Sequence, residues 1–188
     1  MVSGGKTTQS ADVAVRVLKE SFAGAIMLAA NDTGLLKLEI RRAEDAHADD
    51  YQHGSDTAAE IANDVVLELE RYFSGELQAF RAPLDLASLS AFQRLVLAHT
   101  AHIPYGSVHT YGEVALAIGR PNSARAVGGA LARNPIAIII PCHRVVAHDG
   151  QLHGFSSPDG IRTKAKLLAH EGVLMQDECV QLNNQREA

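Results

Sequence analysis

The stretch NPIAIIIPCHRVV, residues 134–146, places one of only two cysteines in a 188-residue chain directly behind a run of nearly pure hydrocarbon. His143 and Arg144 follow Cys142 at once. The pattern reads in two ways. Either residues 136–140 are a buried strand that happens to end in cysteine, or the run is the rigid part of a device that holds a reactive thiol. A free thiol titrates at about 8.5, so only a few per cent is thiolate at neutral pH. Nucleophilic use therefore needs an adjacent base or cation, and a third group to orient the base. His143 adjoins Cys142, but neighbours in an extended strand point to opposite faces. The pair works only if the chain bends at the motif or a water relays the proton, and Pro141 favours a bend because it fixes φ just before Cys142. Glu171, at the end of the last predicted helix, is the candidate orienting carboxylate. Arg144 either adds positive charge there or serves as an ion-pair partner elsewhere.

The rest of the composition leaves that thiol free to act. Two cysteines are too few for a disulfide scaffold or a four-thiolate zinc site, and none precedes Cys142, so neither a structural zinc nor a cofactor is expected. His47 and His53 read as solvated loop residues rather than ligands. The N-terminal MVSGGKTTQSADVAV has no apolar core ahead of a cleavage site, and no apolar run approaches the ~20 residues that span a bilayer. A cytoplasmic, reducing setting is expected. The length suits one large domain or two small ones. The formal charge of −5 is unevenly spread: residues 1–91 hold 8 Lys/Arg against 15 Asp/Glu, whereas residues 92–175 hold 8 against 4. Such asymmetry marks a phosphate-facing half or reflects chance clustering on a solvated face.

The chain reads as α+β in two domains. In the first half GAIMLAA and GLLKLEI flank NDTG, a hairpin pattern with Gly34 available for a positive φ. Residues 56–73 repeat apolar positions at helical spacing until SGE stops them. AFRAPLDLAS is an extended linker, kept from helix by Pro83. The acidic character ends near Ser88, which places the boundaries at 1–88 for a supporting domain, 89–175 for a second domain and 176–188 for a tail. In the second domain Ser90 with Gln93, and Thr110 with Glu113, read as capping boxes opening helices. Gly119 ends the helix YGEVALAIG, RPN turns, and SARAVGGALAR is the next helix. This is helix-turn-helix spacing, shared with plain helical hairpins. RVVAHDGQLHGF reads as a hairpin turning at Asp149–Gly150, and IRTKAKLLAHEG is a basic helix with Gly172 as its C′ residue.

The helix from residue 123 to 133 is compositionally odd. Gly128 and Gly129 each cost it about 1 kcal/mol relative to alanine. With four alanines beside them the helix is thin, so its backbone can approach something closely. Arg125 stands between two of those alanines, where it can bind phosphate, enter a base stack as a wedge, or remain an ordinary surface arginine.

IPYGSVHTYGEVALAIGRPNSARAVGGALARNP and IIIPCHRVV together resemble the active domain of the O6-alkylguanine-DNA alkyltransferases, the methylated-DNA–protein-cysteine methyltransferases. The resemblance extends from AFQRLVL to LLAHEG, about residues 90–172, and the pairing of PCHRV with RAVGGA…NP is highly specific. It implies an N-terminal ribonuclease-H-like sheet with helix, and a mostly helical C-terminal domain with a winged helix-turn-helix that binds double-stranded DNA in the minor groove. It further implies a monomer that flips O6-alkylguanine out of the duplex and takes the alkyl group irreversibly, once, on Cys142. By the same resemblance His143 is the base acting through a water, Glu171 orients it, and Asn134 braces the turn before the cysteine. Tyr111 rotates the phosphate and donates to guanine N3, and Arg125 fills the vacated stack. Ser123, Ala126 and Gly128 lie on the DNA face of the thin helix. The carbonyls of Cys142 and Val145 accept from the guanine amino group, and Phe155 and Ser156 complete the base pocket. Phe155 stands where many relatives have tyrosine, and the loop GFSSPDGI lacks their paired glycines and is one residue longer. The competing reading is a non-enzymatic sensor of alkylated DNA, whose members replace the cysteine, commonly with tryptophan. This chain keeps Cys142 and has no tryptophan. A transcriptional regulator would carry an additional cysteine-rich zinc domain, and a papain-like protease leaves the thin helix unexplained.

Overall fold

A computed structural model describes residues 12–47, 50–177 and 179–182. The N-terminal part is a three-stranded antiparallel sheet, β1 (Ala14–Leu18), β2 (Ala25–Ala30) and β3 (Leu35–Arg41), in that order. Strand residues alternate between buried and half-exposed, as one covered face requires. Helix α1 (Asp56–Phe73) covers that face with Ala58, Ala62, Val65, Leu69 and Tyr72, all buried and three or four residues apart. Its bounds match the expected helix, and the Ser55 hydroxyl caps it by accepting from Ala58 N.

The hairpin around NDTG is present, with the Asn31 side chain accepting from the amides of Thr33 and Gly34. Gly34, however, does not adopt a positive φ. Its missing Cβ is what matters: a carbon there would stand 2.7 Å from Pro83 O, where the linker crosses. That linker is indeed extended, and it pairs with β3 through Leu35 N→Pro83 O at 2.8 Å and Asp85 N→Leu35 O at 3.0 Å.

The C-terminal part is mostly helical: α2 (Ala91–Ala101), α3 (Tyr111–Ala117), α4 (Ala124–Leu131) and α5 (Ile161–His170). Thr110 and Glu113 form the expected capping box at α3. Ser90 caps α2, but its partner does not reciprocate. Gln93 Nε2 instead donates to Arg133 O at 2.8 Å, tying α2 to the end of α4. Gly119 closes α3 at φ 71°, and α3 and α4 pack together as the helix-turn-helix spacing predicts.

Two sequence expectations need correction. The turn at Asp149–Gly150 exists, with Gly150 at φ 83° and Ala147 N donating to Gln151 O across it at 3.0 Å, but among the described residues no strand ladder extends the hairpin. Strand β5 (Val145–Val146), fully buried, pairs in parallel with β4 (His109–Thr110), while Gln151 also bridges to Cys179. Nor is the tail separate. A two-stranded ladder, β6 (Met175–Gln176) with β7 (Cys179–Val180), crosses the expected boundary, and Val180 N donates to Gly150 O at 2.9 Å. One apolar cluster runs through both halves, joining Leu69 and Tyr72 to Ile103, Val127, Ile140 and Leu167. The halves therefore share a core, and the site lies against it.

Candidate functional site

The run before Cys142 is buried, as expected, but it is not a strand. Only Ile136 makes a ladder contact, where Leu38 N donates to Pro135 O at 2.8 Å. The chain then folds back on itself: Ile138 has φ 70°, Ile139 N bonds Ala137 O at 2.8 Å, and Ile140 N bonds Ile136 O at 3.0 Å. A β-branched residue at positive φ costs on the order of 1–3 kcal/mol. Full burial of Ile136, Ile138 and Ile140, about 1.5–3 kcal/mol each, offsets it. Asn134 holds the coil at both ends, its Nδ2 donating to Ile140 O at 2.9 Å and its Oδ1 accepting from Ile136 N at 3.1 Å. Pro141, at φ −81° and ψ 64°, completes an inverse γ-turn closed by Cys142 N→Ile140 O at 2.8 Å. This is the bend that proline favoured, and it leads into a single 3₁₀ turn, Cys142–Arg144.

That turn delivers His143 and Arg144 to one buried carboxylate. Glu171 sits at the C-cap of α5, fixed by a Schellman motif in which Gly172 N bonds Ala169 O and Val173 N bonds Leu168 O, both at 3.0 Å. Gly172, at φ 79°, is the C′ residue expected from sequence. Glu171 Oε1 accepts from His143 Nε2 at 2.8 Å, Tyr72 Oη at 2.8 Å and Arg144 Nη2 at 2.9 Å. Oε2 accepts from Arg144 Nε at 2.8 Å and from Gly106 N at 3.4 Å. Burial alone would raise the carboxyl pKa, but the His143 and Arg144 contacts outweigh it and hold it down at about 2. Arg144 is thus the ion-pair partner of Glu171. For His143, fully buried, burial pushes the imidazole pKa down while Glu171 pulls it up, and the net is downward. Its Nδ1 has no hydrogen-bond partner among the described residues.

Cys142 lies half-buried in a cleft of about 990 Å³, which also takes in Tyr111, Arg125, Gly128, His148, Phe155 and Ser156. Burial raises its thiol pKa, opposed by the Asn134 side chain and the Lys164 charge. Among the described residues no hydrogen bond joins the Cys142 thiol to the His143 ring, whose Nε2 is taken by Glu171. Tyr111 is the first residue of α3, and its ring packs against Gly128, where a Cβ would find ordinary contact at 3.7 Å from Cε1. Arg125 and Ala126 are exposed at the start of α4, and Ser123 bonds its hydroxyl to Arg120 O at 2.6 Å. Ser156 Oγ donates to Ala132 O at 3.2 Å, and the Phe155 ring meets that of His143 edge-on at 6.5 Å. The Val145 carbonyl already accepts from Lys164 Nζ at 2.6 Å.

Two models describing the domains of 6-O-methylguanine DNA methyltransferase match the chain. The ribonuclease-like domain matches residues 15–86 and the DNA-binding domain residues 91–173. The methylated-DNA–protein-cysteine methyltransferase of Methanosarcina barkeri is 41% identical over 155 residues, covering 81% of this chain and 93% of that protein. The chain belongs to this methyltransferase family. A crystal structure of the Mycobacterium tuberculosis O6-methylguanine methyltransferase superposes with a TM-score of 0.70 at 40% identity, covering 85% of this chain and 92% of the other. The M. tuberculosis OGT in complex with DNA gives 0.70 at 38% identity, covering 84% and 91%. In this family member, sequence reasoning missed two residues of the site. Lys164 is 1% exposed, and burial brings its ammonium pKa down to about 8 despite the attraction of Cys142. Its place in IRTKAK looks like any basic helix face, so nothing local marks it. Tyr72 lies 99 positions from the carboxylate it bonds, beyond any motif.

Proposed function

We propose that the chain repairs O6-alkylguanine in double-stranded DNA by moving the alkyl group to Cys142, once per molecule. The observation that carries this is Cys142 in an open cleft beside α4, with His143 held on Glu171 directly behind it. The base reaches the cleft by flipping, since the alkylated oxygen lies inside the duplex stack. The winged helix-turn-helix enters the minor groove with its thin helix; Ser123, Ala126 and Gly128 lie on that face, and Arg125 fills the gap left in the stack.

In the transfer, the Cys142 proton passes through a water to His143 Nδ1, the ring atom without a partner among the described residues. Glu171, ionised at any working pH, orients the imidazole and stabilises its cation. Sγ then forms a bond to the alkyl carbon as its bond to guanine O6 breaks, and the electron pair stays with the base. Tyr111 donates to N3 as that charge develops, and the Ser156 amide offers a contact to O6. Lys164 stabilises the thiolate electrostatically. The carbonyls of Cys142 and Val145 accept from the guanine amino group; Val145 retains a second lone pair beside its bond from Lys164. Phe155 packs on the flipped base without a hydroxyl. The thioether product is not reversed by ordinary bases or reductants, hence the single turnover. The division at Ser88, a monomeric state and a cytoplasmic, reducing setting complete the reading.

The test is intact-protein mass after incubation with an O6-methylguanine duplex. One methyl on Cys142, and none in Cys142→Ser, is expected. An unmodified protein that still binds the duplex would refute transfer and leave a sensor.

A further inference from the structure

Helix α1 belongs to the N-terminal half, yet its penultimate residue reaches the carboxylate behind His143. The Tyr72 hydroxyl, fully buried, donates to Glu171 Oε1 at 2.8 Å. That same oxygen takes His143 Nε2 and Arg144 Nη2. An oxygen that shares its electron density among three donors is a weaker base toward each of them. We infer that Tyr72 is a positioning residue that restrains Glu171, so that His143 stays a moderate base and Cys142 a protonated thiol until a base occupies the cleft. This rests on transfer to Cys142 as proposed above.

The groups facing the carboxylate and imidazole come from every surrounding element. Tyr72 arrives from α1, Tyr105 and Gly106 N from the segment after α2, Arg144 from the 3₁₀ turn, and Lys164 from α5. Of the donors to Oε1, Tyr72 alone is a neutral hydroxyl and alone comes from the N-terminal half. Burial and the Glu171 charge push its phenol far above the ordinary range, so it serves only as a donor. Its aim is fixed, because the ring packs against Phe73, Phe80, Tyr105 and His170, and its carbonyl bonds His170 Nε2 at 2.7 Å. A protein that spends its nucleophile once loses its function to any stray electrophile, at a rate set by the thiolate fraction. A donor that tempers Glu171 lowers that fraction at rest.

The experiment uses the full chain with Cys179→Ser, leaving Cys142 as the single thiol. Carboxamidomethylation by iodoacetamide is followed by intact mass between about pH 5 and 9.5. Tyr72→Phe keeps the ring and removes the donor. Its half-maximal pH should fall by about half to one unit, making alkylation at neutral pH roughly three- to tenfold faster. Phe73→Leu loosens the same helix end without touching Glu171 and should leave the profile in place. An unmoved or upward-moving profile for Tyr72→Phe overturns the inference, as does an equal shift in Phe73→Leu. If Tyr72→Phe does not fold, site-specific incorporation of 3-fluorotyrosine at position 72 strengthens the donor. The half-maximal pH must then rise, and a fixed value is again refuting. Methyl transfer from the O6-methylguanine duplex is run in parallel. A wild type that takes no methyl refutes the proposed function, while the iodoacetamide profile still judges Tyr72.

Discussion

Replacing Glu171 by glutamine removes the carboxylate from a pocket that holds a 5% exposed arginine and a fully buried histidine. The carboxyl is held at about 2 against its usual 4.5, and the separation corresponds to about 3 kcal/mol. Breaking a buried pair by removing one partner costs about 3–5 kcal/mol, so the two routes agree. Against a total stability of about 5–15 kcal/mol this is a large share. The sign follows from the depressed pKa: the contribution is fully present above 4.5 and is lost as pH falls through about 2. Urea unfolding of wild type and Glu171→Gln, at neutral pH and then stepwise down to about pH 3, measures both parts. The gap between them should be about 3–5 kcal/mol at neutral pH and should narrow below pH 4.5. A gap that stays constant across that range, or stays under about 1 kcal/mol at neutral pH, refutes the assignment of Glu171 as the ionised centre of the network.

Arg125→Ala should slow repair of the duplex roughly tenfold or more, on the order of the 1–3 kcal/mol carried by one base-stacking contact. Transfer from the free base should change little; equal loss on both, measured as alkylation rates of Cys142, would argue against a role in flipping. Gly34→Ala should destabilise the fold by about 1–3 kcal/mol through its clash with Pro83 O, seen as a lower urea midpoint with unchanged slope.

The legible parts of the sequence were those governed by near neighbours. Helix α1 announced itself by spacing and the SGE that stops it, α3 by its capping box, and Glu171 by the glycine that ends α5. The meeting of His143 with Glu171 was expected from the two residues' places in the chain and from the family resemblance. What stayed hidden depends on distant contacts. An apolar run buried on every side has no periodicity to distinguish strand from coil, and Asn134 reaching both Ile136 and Ile140 decides for coil. Gln93 could have closed its own capping box, but the Arg133 carbonyl lies within reach. Gly34 gave the right turn for the wrong reason, since only the fold brings Pro83 against it. Strand β1 went unread because AVRVL is short, and Arg16 interrupts it with a side chain buried on Asn63 and Gln52.

The pairing along β3 has a consequence for how the halves can be handled. Its outer edge is closed by two short pieces of backbone, Leu84 from the linker and Ile136 from the coil that carries the thiol, while Gln52 closes the edge of β1. A sheet of three strands with an open edge is a template for self-association. Severed at residue 88, the first half would keep the Leu84 cover and lose that of Ile136, along with the apolar wall beneath it. The segment that carries Cys142 is therefore also what keeps the sheet from finding a second copy of itself, and a chain cut at residue 88 should aggregate through β3.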